Sequence, residues 1–232
     1  MDGHLILALE TATGCGGAAL TRGGRAGGRL LAECGLYPES APSRRLLGLA
    51  RDLLRDCGLD FADLDAVAVS RGPGSFTGLR IGMSIAKGLA DGFDCPVISV
   101  PTLDILAYGY SYLKGAVMPI LDAKSGKVFT AVYAGGKRVS DYLDIEKDKL
   151  GGIFATYNEV FLTGAYAPAV MELYPDEKKL TLDPGWNSCR IESCLALGKA
   201  LFAEGRRDPD NAGPIYIRPS EAELTKSAST QK

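Results

Sequence analysis

Apolar and polar positions follow two periods along the first hundred residues. Leu5 to Glu10 is a short apolar run of the kind that forms a buried strand. Cys15 to Thr21 follows after a turn at Thr13-Gly14. Arg22-Gly23-Gly24-Arg25 reads as a hairpin turn, and Gly28 to Gly35 returns as a third strand. Pro42-Ser43 opens a helix in which Leu46, Leu47, Leu49, Ala50, Leu53, Leu54 and Cys57 recur at helical spacing, with Gly58 as the stop. Leu64 to Ser70 is a buried strand, Arg71 to Gly78 a glycine-rich loop, Leu79 to Asp91 a helix, and Pro96 to Val100 a further buried strand. The pattern then partly repeats. Ala116 to Leu121, Lys127 to Ala134 and Lys137 to Ile145 read as strands, with a tight turn at Gly135-Gly136. Val160 to Thr163 is another strand, and Ile191 to Glu204 an amphipathic helix.

Three hairpin-connected strands followed by helix, strand, helix, strand do not make a doubly wound dinucleotide fold. They match the β-β-β-α-β-α-β unit of ribonuclease-H-like and actin-like ATPase (ASKHA) folds, an α/β class with two lobes. The second lobe is expected to be reduced. The expected division is residues 1–108 for the first lobe, 109–218 for the smaller second lobe and 219–232 for a flexible polar tail, with helix 191–204 a candidate to pack back on the first lobe. The lobes are expected to meet near residues 105–115.

The most specific motif is Arg71-Gly72-Pro73-Gly74-Ser75-Phe76-Thr77-Gly78, set between a buried strand and a helix. Its glycines permit close backbone approach, Pro73 stiffens the turn, and Ser75 or Thr77 is placed to cap the helix. Free N–H groups at a helix start attract anions, so phosphate contact and a purely structural turn both remain open readings. No Gly-Lys-Ser/Thr follows, which excludes a Walker loop. The next helix carries Gly78, Gly82, Ala86 and Ala90 at four-residue spacing. Glycine costs a helix on the order of 1 kcal/mol against alanine, so this small-residue stripe calls for a close neighbour. That neighbour is either the chain's own core or a helix of a partner.

Composition narrows the chemistry. The 232 residues hold 26 Lys+Arg and 28 Asp+Glu, which disfavours a strongly cationic nucleic-acid binder. The longest uncharged stretch, Val160 to Met171, is too short to span a bilayer as a helix. The N-terminal Met1-Asp2-Gly3-His4 has no basic leader, so a cytoplasmic chain is expected. The six cysteines form no C-x-x-C pair and are expected to be reduced, buried thiols. His4 is the sole histidine, so any Ser-His or Cys-His nucleophile system would have to use it, and an H-E-x-x-H metal site is excluded. Ser-Lys pairs around Ser43, Ser75 or Ser84 carry little weight.

Residues 70–90, SRGPGSFTGLRIGMSIAKGLA, closely resemble the signature of the TsaB family, formerly YeaZ, glycoprotease-like subunits of the bacterial tRNA threonylcarbamoyladenosine machinery. Leu5 to Leu20, Pro96 to Asp104, Pro119 to Lys124 and Pro214 to Glu223 resemble further family segments. Glu10, Pro42 and Lys124 depart from the usual Asp, His and Arg. The resemblance implies a non-catalytic scaffold that binds TsaD, the paralogue that works with TsaE to transfer threonylcarbamoyl to adenosine of ANN-decoding tRNAs. TsaD's metal needs a histidine pair on a helix, which this chain lacks. No cofactor is therefore expected on the chain alone; ATP and a divalent metal would belong to the partner complex, and tRNA would be met through it. The phosphate-loop-like positions are Thr11, Thr13, Gly72, Pro73, Gly74, Ser75, Phe76, Thr77 and Gly78. The expected interface for TsaD, or for a homodimer through the same helices, is Leu46, Ala50, Leu53, Leu79, Gly82, Met83 and Ala86. The competing reading is a stand-alone glycoprotease-like peptidase or actin-like ATPase.

Overall fold

A computed structural model describes residues 3–23, 27–37 and 45–217. The first sheet has five strands in the order β3-β2-β1-β4-β5: β1 (His4–Glu10), β2 (Gly16–Gly23), β3 (Arg29–Leu36), β4 (Ala66–Ser70) and β5 (Val97–Val100). The first three form an antiparallel meander, and β4 and β5 run parallel to β1. Successive residues of β1 and β4 serve opposite cores. Leu5, Leu7, Leu9, Val67 and Val69 face α1 (Leu46–Asp56) and α2 (Phe76–Phe93). Ile6, Ala8, Ala66 and Ala68 face α6 (Ile191–Ala203). A strand covered on both faces must be apolar throughout, which is why these segments read as unbroken hydrophobic runs.

The second lobe repeats this plan with shorter strands. Its sheet runs β10-β9-β6-β12-β13, where β6 is Ala116–Pro119, β9 Tyr133–Ala134, β10 Lys137–Arg138, β12 Val160–Thr163 and β13 Leu180–Leu182. Again one side of the central strand is antiparallel and the other parallel. A small third sheet, β11-β8-β7, is built from β7 (Leu121–Asp122), β8 (Lys127–Thr130) and β11 (Leu143–Glu146). The architecture is the two-lobed ribonuclease-H-like, actin-like fold with its second lobe reduced. Helix α3 (Thr102–Tyr108) leads from the first lobe to the second.

Several boundaries differ from the sequence reading. Helix α2 begins at Phe76, three residues ahead of Leu79, because the Ser75 hydroxyl accepts from the Gly78 N–H at 3.2 Å and caps it. The runs Lys127 to Ala134 and Lys137 to Ile145 each split into two strands that join different sheets. The short helices α3, α4 (Leu150–Phe154) and α5 (Ala167–Leu173) have too few turns to show a clear period. The predicted helix start at Pro42-Ser43, the centre of the Arg22 to Arg25 turn and the 219–232 tail lie outside the described residues.

The small-residue stripe of α2 requires a correction. A side chain at Gly78 would run into the Thr11 carbonyl, and one at Gly82 into the Thr11 hydroxyl. Ala86 has no exposed surface and packs with Leu7, Leu9 and Val67. The close neighbour is therefore the chain's own β1 strand and the loop after it. Leu46, Ala50, Leu79 and Met83 are likewise buried in the monomer, and Leu53 is half-buried. These side chains hold α1 and α2 onto the sheet, and of them only Leu53 keeps part of its surface exposed.

Candidate functional site

The two lobes meet at a cleft of about 750 Å³. One wall is the loop after β1 (Thr11 to Gly14) together with the start of α2 (Gly74 to Gly78); the other is Leu121 to Lys124, Phe129 and Ala165 of the second lobe. Of the predicted loop residues, Thr11, Thr13, Gly74, Ser75, Phe76, Thr77 and Gly78 line this cleft, whereas Gly72 and Pro73 are buried behind it. Nothing in the sequence marks this second wall, although part of it, Leu121 to Lys124, belongs to the Pro119 to Lys124 segment that resembles the family.

The glycine-rich loop is clamped from three sides. The Ser75 N–H donates to the Ala12 carbonyl at 2.7 Å, joining it to the first loop. The Gly72 N–H donates to Thr102 Oγ1 at 3.0 Å, and the Thr102 N–H donates back to the Gly72 carbonyl at 2.9 Å. The Ile215 N–H donates to the Arg71 carbonyl at 2.7 Å, and Arg71 Nε donates to the Gly213 carbonyl at 3.0 Å. Gly72, at φ +106°, adopts a backbone that favours glycine, and a side chain there would meet the Ile215 carbonyl.

Beneath the first loop, Glu10 is buried. Its Oε1 accepts from the Ala12 N–H at 2.8 Å, the Thr13 N–H at 3.1 Å and the Thr13 hydroxyl at 3.3 Å. Burial raises its pKa despite these bonds. Glu10 thus shapes the loop from behind and does not line the cleft. Opposite, Lys124 Nζ lies 2.6 Å from Asp122 Oδ2. Burial works against the Asp122 charge, but the bonds and charge of Lys124 outweigh it and hold the carboxyl below its usual range.

His4 stands at the far end of β1 from Glu10, about 20 Å away at a strand's rise per residue. It is exposed, with Nδ1 3.2 Å from Asp65 and its ring edge-on to Phe202. Among the described residues, no group of three or more His, Cys, Asp or Glu side chains is placed to hold a metal ion. No described helix is long and apolar enough to cross a membrane.

A second polar cluster fixes Arg190, at the start of α6, to the second lobe. Asp183 accepts from Thr163 Oγ1 at 2.6 Å, Arg190 Nη2 at 2.7 Å, the Gly185 N–H at 2.8 Å and the Tyr110 hydroxyl. Burial opposes the Asp183 charge, but these donors and the Arg190 charge outweigh it and hold the carboxyl below its usual range.

Sheet order, repeated lobes and a cleft between them define a ribonuclease-H-like chain of the actin-like class, whose cleft is walled by the Gly74 to Gly78 end of the glycine-rich loop. The family profile described as "TsaD: tRNA N6-adenosine threonylcarbamoyltransferase" matches residues 32–170. The tRNA threonylcarbamoyladenosine biosynthesis protein TsaB of Escherichia coli is 31% identical over 235 residues, which span 92% of this chain and 94% of that protein. TsaB of Bacillus subtilis is 38% identical over 128 residues, covering 55% of this chain and 54% of that protein. YeaZ from Pseudomonas aeruginosa superposes with a TM-score of 0.73 at 25% identity, covering 92% of this chain and all of that one. The chain belongs to the TsaB family of tRNA threonylcarbamoyladenosine biosynthesis proteins.

Proposed function

We propose that the chain is a non-catalytic subunit of the tRNA threonylcarbamoyladenosine machinery that binds and supports TsaD. The observation that carries this reading is how the cleft's donors are used. Among the residues that line the cleft, the N–H groups of Ala12, Thr13, Ser75 and Gly78 already have acceptors within the chain, and the Lys124 ammonium is paired with Asp122. A nucleotide's phosphates need such donors and positive charge, so this cleft is a poor fit for one. The one histidine is at the wrong end of β1 for a metal or a triad at the cleft. ATP and the divalent metal are accordingly assigned to the partner complex, with TsaE joining there and tRNA met through it.

The docking surface is the outward face of α1 and α2. Leu47 is 46% exposed on α1. On α2, Ser84 and Gly88 are exposed, one turn apart, flanked by half-buried Ile81 and Ile85. Gly48 and Gly88 have open space where a side chain would stand, so another backbone can approach closely. Two helices from each of two related chains would pack as four around a pseudo-two-fold axis, and a homodimer would compete for the same face.

Light scattering of the chain mixed with TsaD from the same source tests this, together with threonylcarbamoyl transfer to tRNA with and without the chain. A stable heterodimer and chain-dependent transfer are expected. Robust ATP or peptide hydrolysis by the chain alone, lost on a single Glu10 or Ser75 substitution, would overturn the reading.

A further inference from the structure

Behind the cleft's first loop, two thiols far apart in sequence lie side by side. Cys15 sits in the bend that leads into β2, two residues ahead of Gly17 on one face of that strand. Cys189 occupies that same face: a side chain at Gly17 would lie 2.8 Å from its Sγ, and one at Gly35, the cross-strand partner of Gly17, 3.1 Å from its Cβ. The two glycines thus leave the room that Cys189 fills. The Cys189 N–H donates to the Tyr37 hydroxyl at 2.6 Å, which fixes the residue just ahead of α6. Its thiol lies beside the Cys15 thiol, and the Thr13 hydroxyl is 3.1 Å from Cys15 Sγ.

We propose that Cys15 and Cys189 form a peroxide-oxidisable dithiol whose disulfide ties the start of β2, and with it the cleft's first loop, to the N-terminus of α6. The contact with Cys189 lowers the Cys15 thiol, against burial and the nearby Glu10 carboxyl, and the same contact raises Cys189. The Thr13 hydroxyl beside Cys15 Sγ can donate to a thiolate there, which makes Cys15 the nucleophile and Cys189 the resolving thiol. The Cys15 thiolate attacks one oxygen of hydrogen peroxide. The O–O bond breaks, and the departing hydroxide takes a proton to become water. Cys189 Sγ then attacks the resulting sulfenic acid at Cys15. The S–S bond forms, the S–O bond breaks, and hydroxide leaves with the Cys189 proton as a second water. Two thiols supply the two electrons that reduce one peroxide. Cys194, fully buried on α6 and pushed up by that burial, is a poor nucleophile, and Cys95 belongs to the core on the opposite face of the sheet.

The test treats the reduced full-length chain with hydrogen peroxide, blocks remaining thiols with N-ethylmaleimide, and maps peptides without reductant. The expected result is a mass loss of about 2 Da, one linked peptide joining Cys15 to Cys189, and recovery of both thiols with dithiothreitol. In Cys189→Ser, whose altered side chain is half-buried, Cys15 should instead gain oxygen and the mass loss should vanish. Recovery of Cys15 and Cys189 both alkylated after peroxide overturns the proposal. So does a mass loss that persists in Cys189→Ser. If that variant does not fold, the wild-type peptide map decides alone.

Discussion

The Thr11 hydroxyl donates to the Gly78 carbonyl at 2.8 Å, fastening the first loop of the cleft to the first turn of α2. The bond is buried, and it forms only because Gly78 and Gly82 let α2 settle directly on Thr11.

Alanine at either glycine should lower stability even though alanine favours helix by about 1 kcal/mol. Overpacking of about 1–3 kcal/mol opposes that gain, and at Gly78 the obstacle is backbone, which cannot rotate away. Gly78→Ala should therefore lose more than Gly82→Ala in thermal melts. At Gly82 the obstacle is the Thr11 hydroxyl, so Thr11→Ala combined with Gly82→Ala should lose less than the sum of the two single changes. Strictly additive losses would break the argument.

Glu10 makes a pH prediction. Its folded pKa is raised by burial, so the folded state holds that proton more tightly than the unfolded chain does. Stability from this group is present below the unfolded pKa, about 4.3, and falls as pH rises toward the folded value. Gln at position 10 keeps an acceptor for Ala12 and Thr13 and has no charge to form. Urea unfolding should show Glu10→Gln gaining on the wild type as pH rises from about 4 to 8. A difference independent of pH would contradict this.

Asp183 has the opposite sign. Its folded pKa is depressed, so its contribution is complete above the unfolded value of about 3.9 and is lost as pH falls through the folded value. Asp183→Ala leaves the Arg190 guanidinium, 18% exposed, without its carboxylate. That should cost about 3–5 kcal/mol near neutral pH and flatten the acid limb of the stability profile. A calorimetric melt unchanged from wild type would show that the cluster is not what holds the start of α6 to the second lobe.

The outward face of α1 and α2 is tested by placing charge on it. Ser84→Arg and Gly88→Arg should fold normally and weaken TsaD binding at least tenfold, about 1.4 kcal/mol, measured by calorimetry. Ala86→Arg, half a turn away on the inner face, should instead unfold the chain, because it buries an unpaired charge in the core. Unchanged binding by both outer variants would move the interface elsewhere.

The first lobe was legible because its central strands β1 and β4 are buried on both faces, so Leu5 to Glu10 and Leu64 to Ser70 announce themselves. The second lobe was harder. Strands such as Leu121–Asp122 and Tyr133–Ala134 are too short to establish a period, and a single apolar run crosses two sheets. The stripe at Gly78, Gly82 and Ala86 correctly announced a close neighbour, but spacing along one helix carries no information about which backbone fills the groove. The glycine-rich loop whose Gly74 to Gly78 end walls the cleft was visible as a motif. Its pairing with Lys124, and the meeting of Cys15 with Cys189, depend on long-range closure of the chain and leave no local signal.

Helix α6 lies against Ile6, Ala8, Ala68 and Ile98 of the first sheet, although it is synthesised after the entire second lobe. Gly198 permits the approach: any side chain there would run into Ala68. The protein therefore cannot be cut at its waist. A fragment ending near residue 108 would carry one sheet face bare and should aggregate. During translation, the first lobe must wait for the last helix before its second core can close. Supplying residues 186–217 as a separate peptide is the means by which such a truncated half would be made whole.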